Sequence, residues 1–125
     1  LMAFNMALGD IEAKRDALGD ARERYDAAVR IARASAAARP TEAERGNLAL
    51  ALERLGIVQH ALATEANDAA DKARLFSAAR KTLQVSHELS VSLGRASINA
   101  RTADLIKQID AELRPSQRPA TDNSR

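Results

Sequence analysis

Cysteine and tryptophan are absent, and the 125 residues include only two Phe, one Tyr and three Pro. Without cysteine there are no disulfides and no thiolate metal sites, and no redox compartment is implied. Aromatic and β-branched residues are too few to build a sheet. No apolar run approaches the ~20 residues that a membrane span requires. The apolar opening from Leu1 to Leu8 lacks the basic n-region and full h-region of a signal peptide. The sequence also lacks HExxH, a glycine-rich phosphate loop and a G-x-S-x-G elbow. These absences predict a soluble, cytoplasmic chain that is not an enzyme and takes no cofactor or metal. It reads as one small domain, of a length that also suits a piece of a longer protein.

What is present is alanine. Of the 46% hydrophobic residues, 28 are Ala and 29 are larger, chiefly 14 Leu and 6 Ile. A core made from these must be thin, with backbones close together. Ala, Leu, Arg and Glu all favour helix, so the fold class expected is all-α.

Charge is nearly balanced, with 19 basic and 17 acidic residues. The basic excess lies at the end of the chain, where Arg114, Arg118 and Arg125 face the single Asp122. Pro and Ser accompany them, so residues 115–125 are expected to form a disordered tail. Nucleic-acid binders concentrate basic charge on one face, and the body of this chain does not.

Five helical stretches are predicted. The first runs from about Met2 to Arg15, with Phe4, Ala7, Leu8 and Ile11 as its apolar face. Asp16 or the Gly19–Asp20 pair starts the second, whose stripe is Leu18, Ala21, Tyr25, Ala28, Val29 and Ala32. Pro40 ends it near Ala38. Thr41-x-x-Glu44 is a capping box that opens a third helix through Leu48, Leu52, Leu55 and Leu62, with Ile57 and Val58 widening the stripe, to about Ala63. Asn67 or Asp68 caps a fourth, with Ala69, Leu75, Phe76, Ala79, Leu83 and Val85 as core candidates; it either runs on through Leu89 and Leu93 to stop at Gly94 or breaks earlier, near Ser86–Glu88. A fifth begins near Asn99, carries Leu105, Ile106, Ile109 and Leu113, and halts at Pro115. Short loops make consecutive helices antiparallel neighbours. The organisation is thus a hairpin over 1–38, a longer hairpin over 41–94, and a closing helix over 97–114.

Two Leu-Gly pairs, Leu8–Gly9 and Leu55–Gly56, sit mid-helix, where Gly costs about 1 kcal/mol. Each is followed by a helix with an aromatic residue and an Ala, as Ala21-x3-Tyr25-x2-Ala28 and as Lys72-x3-Phe76-x2-Ala79. A bare backbone at each Gly would let the aromatic ring of the partner helix approach. With Asn5-x2-Leu8-Gly9-x2-Glu12 and Leu52-x2-Leu55-Gly56-x2-Gln59, the pattern resembles degenerate, elongated tetratricopeptide (TPR) repeats. Asn5 and Glu12 depart from the aromatic residues preferred there, and Lys72 replaces a small one. An Ala-rich bundle without repeats would satisfy the same helix count and capping signals.

The resemblance implies a short α-solenoid whose concave groove binds a peptide or helix of a partner protein. Its groove positions fall on Met6, Asp10, Ala13 and Lys14 of the first helix, and on Leu50, Glu53, Ile57, His60 and Ala61 of the third. The basic clamp that some members use for a peptide carboxylate is missing, which leaves apolar anchors. The alternative is an assembly element that dimerises and has no groove. His60 and His87 stand on different helices and read as surface or groove residues. Asp68 and Asp71 are accounted for by the dipole of a helix N-terminus.

Overall fold

The computed structural model describes residues 1–114, and the predicted tail lies outside them. The chain is all-α: α1 (Met2–Lys14), α2 (Leu18–Ala38), α3 (Glu42–Glu65), α4 (Ala69–Leu93) and α5 (Ala96–Leu113), with no strand among the described residues. Cross-helix pairs fix the directions. Gly56 lies against Leu83, His60 against Phe76, and Lys72 Nζ donates to the Thr64 carbonyl at 3.3 Å, so α3 and α4 are antiparallel. His87 meets Thr102 and Arg80 meets Asp110, so α4 and α5 are antiparallel too. Glu53–Arg101 and the electrostatic reach of Glu112 to His60 make α3 and α5 parallel. The result is a stack of helical hairpins with α3 at its centre.

The junctions show local chemistry at work, and some differ from expectation. Asp16 is not an N-cap. It takes φ 61° as the left-handed residue that closes α1, with Ala17 N–H donating to Glu12 O at 2.8 Å and Asp16 N–H to Ala13 O at 3.1 Å. A short polar side chain tolerates that conformation where most do not. α2 therefore starts at Leu18 behind Ala17, without a side-chain cap.

Thr41 caps α3 through Oγ1, which accepts from Glu44 N–H at 3.2 Å. The reciprocal half of the box is not formed. Thr41 N–H donates to Arg39 O, and the Glu44 carboxylate lies 3.6 Å from the Arg39 guanidinium. Asp68 caps α4 by accepting from Asp71 N–H at 2.9 Å, and Gly94 ends it at φ 70°. α5 begins at Ala96, three residues ahead of the expected cap, because the chain leaves Gly94 already turned and needs no further loop.

Apolar burial forms two clusters. One joins Met6, Tyr25, Val29, Leu52 and Leu55 across α1, α2 and α3. The other joins Ala63, Phe76, Leu83 and Ile109 across α3, α4 and α5. Ala21, Ala28, Ala49, Ala51, Ala63 and Ala79 are fully buried at the helix contacts. The alanine content is thus spent on close backbone approach, as the composition indicated.

Three predicted core assignments are corrected. Val85 is exposed, Ile57 is exposed because it lies roughly 200° round α3 from buried Leu55, and in α1 the buried face is Met6 and Gly9, flanked by half-buried Met2 and Ala13. Phe4 and Ile11 are exposed because each lies roughly 200° round the helix from Met6 and Gly9 respectively. The Tyr25 ring decides the rotation. A Cβ on Gly9 would fall 2.6 Å from it, so the bare backbone of Gly9 must face α2.

Gly56 behaves similarly but with another partner. Leu83, not Phe76, fills the space where its Cβ would be. Gly56 stands farther from the end of α3 than Gly9 does from the end of α1, so its partner lies correspondingly farther along the returning helix.

Candidate functional site

The predicted groove positions lie on α1 and α3, and α5 packs beside α3. Two ion pairs hold these helices together. Asp10 Oδ1 accepts from Tyr25 Oη at 2.5 Å and from Arg54 Nη1 at 2.6 Å, joining α1 to both α2 and α3. Burial pushes the Asp10 carboxyl up, but the hydrogen bonds from Tyr25 and Arg54 outweigh it and hold the group below its ordinary 3.8. Burial, reinforced by the bond to Asp10, raises the Tyr25 phenol well above its usual value. The phenol is the donor in its bond to Asp10. The trio is a cross-link between helices.

The second pair is more deeply set. Glu53 is 1% exposed, and its two carboxylate oxygens accept from Arg101 Nε at 2.5 Å and Nη2 at 2.9 Å. This planar, bidentate geometry is the one guanidinium groups favour. Beside it lies a buried polar layer. Ser86 Oγ donates to Ala49 O at 2.7 Å, and Thr102 Oγ1 donates to Ile98 O at 2.9 Å. The His87 ring meets the Thr102 hydroxyl through Nδ1 at 3.1 Å.

The predicted groove residues therefore separate. Met6 and Glu53 are buried and do not front a groove, the first because Gly9 turns that side of α1 inward, the second because α5 covers it. Asp10 is committed to Tyr25 and Arg54. Leu50, Ala13 and Ala61 pack half-buried against the first core cluster. His60 is half-buried with its ring edge-on to Phe76 at 5.6 Å; burial lowers its pKa and Glu112 opposes the effect. Lys14 and Ile57 stay exposed, each about one turn beyond the Asp10–Arg54 pair. Thus the structure keeps Asp10 and Lys14 within electrostatic reach on α1 and leaves Ile57 exposed on α3, and it withdraws Met6 and Glu53 from the surface.

Arg54 and Arg101 carry much of this geometry, and sequence reasoning missed both. Their partners are far away in sequence, so no local spacing could reveal the pairing. A cleft of about 550 Å³ between α1 and α2, lined by Asn5, Glu12, Asp20, Glu23, Arg24 and Arg30 among others, was equally hidden. Its charges are mixed, and Glu12 and Arg24 already face each other at 3.6 Å. Among the described residues, no group of three potential metal ligands occurs and no helix is long and apolar enough to cross a membrane. No known protein family, curated protein or solved structure matches the chain. The tetratricopeptide likeness rests on its motif residues alone.

The ion pair at Asp10 has a pH signature. A carboxyl with a depressed native pKa binds fewer protons folded than unfolded, so its stabilisation is full above the unfolded value and lost as pH falls through the native one. Chemical denaturation of Asp10→Asn across pH should show the largest deficit at neutral pH. That deficit should close as pH falls well below 3.8. A deficit constant at every pH would mean that the carboxylate charge does not matter.

Proposed function

We propose that this chain is a protein-interaction module: a rigid, TPR-like stack of hairpins that presents one face to a helical or extended segment of a partner protein. The observation that carries this reading is the exposed Ile57 beside the charge-locked layer of α1, α3 and α5. An exposed apolar side chain beside the paired Asp10–Arg54 and Glu53–Arg101 charges suits docking by an apolar anchor. The useful surface is smaller than the motif positions alone suggest, since Met6 and Glu53 are buried. It centres on Ile57 and Lys14, with half-buried Leu50 and His60 alongside.

A displayed library of helical peptides tests the reading. Peptides selected on the intact chain should share apolar anchors, lose at least tenfold in affinity to Ile57→Asp, and keep it for Val85→Asp. Binders insensitive to Ile57, or no binders, would overturn it. The second reading, a dimerising assembly element, is favoured by Phe4 and Ile11 exposed on one face of α1. It requires self-association that Phe4→Asp abolishes in sedimentation equilibrium.

A further inference from the structure

The contacts of α5 have the character of a bound ligand. It lies along α3 and α4 and is read there by side-chain chemistry: Arg101 on buried Glu53, Thr102 against His87, Arg80 on Asp110 at 2.7 Å, and Ile109 fully buried. Its link to α4 is only Gly94 and Arg95. Gly94 takes φ 70° with nothing within 4 Å of where a Cβ would be; the turn is closed by Gly94 N–H donating to Val91 O at 3.2 Å and Arg95 N–H to Ser90 O at 2.8 Å, and the Arg95 guanidinium lies against Gly46 of α3. Arg95 supplies no side-chain cap to α5.

We propose that the α3–α4 surface is a helix-accepting site and that α5 of a second copy of this chain can occupy it, by reciprocal exchange across the Gly94 hinge. Glycine reaches the right-handed and left-handed helical regions with similar ease. Rotating Gly94 and Arg95 into the right-handed region makes α4 and α5 one continuous helix and delivers α5 to a neighbour. The exchanged dimer keeps every contact of α5, so the balance is set by the hinge and by whatever new surface is covered. A short hinge between two helices favours this kind of exchange. The proposal is independent of the partner-binding reading, because it needs only a second copy and makes no use of Ile57.

Complementary charge reversals test it in the full chain. Glu53→Arg places like charges together within one molecule, and so does Arg101→Glu. When the two variants are mixed, exchange puts Arg101 on Glu53 in one half and the reversed pair in the other. Native mass spectrometry should then show a one-to-one heterodimer absent from either variant alone; separate helical monomers after mixing would overturn the proposal. Should the reversals fail to fold, Gly94→Ala in the otherwise unchanged chain decides. Alanine disfavours the left-handed turn in both copies, so the association constant should rise roughly tenfold or more. A Gly94→Ala chain that associates no more than the parent in sedimentation equilibrium overturns it as well.

Discussion

Replacing Arg101 with Met should lower the free energy of unfolding by about 3 kcal/mol, because it leaves the Glu53 carboxylate buried without a counter-charge. Larger losses are known for pairs that are buried on both sides, but the Arg101 side chain is 52% exposed and water can reach into the gap it leaves. The informative comparison is the double variant Glu53→Met/Arg101→Met. Removing both charges also removes the desolvation penalty, so this chain should lie much closer to the parent in stability than Arg101→Met does. Urea denaturation followed by circular dichroism measures all three. If the double variant were as unstable as the single one, the pair would be contributing net attraction, and its description as mutual compensation would fail.

The second large effect is expected at Gly56. Alanine is the better helix former by about 1 kcal/mol, so propensity alone predicts that Gly56→Ala stabilises. Packing predicts the opposite. The new Cβ would lie 2.4 Å from Leu83 Cδ2 and 2.5 Å from its Cγ, and Leu83 is fully buried. Overpacking of this kind costs about 1–3 kcal/mol and should win. Gly19→Ala provides the control, since nothing lies within 4 Å of the position and the residue is exposed on a helix. There the propensity gain, up to about 1 kcal/mol, should appear undiminished. Leu83→Ala alone should cost about 2–5 kcal/mol. Combined with Gly56→Ala it should cost less than the sum, because the added methyl fills part of the cavity. Strict additivity would mean that the two side chains do not share that space.

Gly9 and Gly56 also illustrate how far the sequence could be read. That each Gly admits a close neighbour follows from its placement inside a helix. Naming the neighbour required the helix register, which depends on how far each Gly stands from its loop. Tyr25 was identifiable for the short hairpin, whereas Leu83 displaced Phe76 in the longer one. The same limit applied to the face of α1. Phe4, Ala7, Leu8 and Ile11 make a valid apolar stripe at helical spacing, as do Met2, Met6, Gly9 and Ala13 with smaller side chains. Periodicity counts hydrophobicity and gives Gly no credit, so it chose the wrong stripe.

Caps were more legible where the capping atom belongs to a nearby residue. Thr41 and Asp68 hold N–H groups three positions onward, an interaction that any chain with those residues can form locally. Asp16 was misassigned because Asp serves both as an N-cap and as a left-handed closing residue, and which role it takes depends on the hydrogen bonds of the preceding helix.

By itself, then, the sequence determined the helical class, the hairpin organisation, the dependence on alanine for close packing and most of the helix limits. All of these follow from interactions within a turn or two of chain, or from composition. The tertiary structure alone decided that Asp10 and Glu53 are cross-links, that Arg54 and Arg101 complete them, and that Ile57 remains outside. Those outcomes depend on which helices meet and at what rotation, and charge pairing between distant helices leaves no periodic trace in the chain.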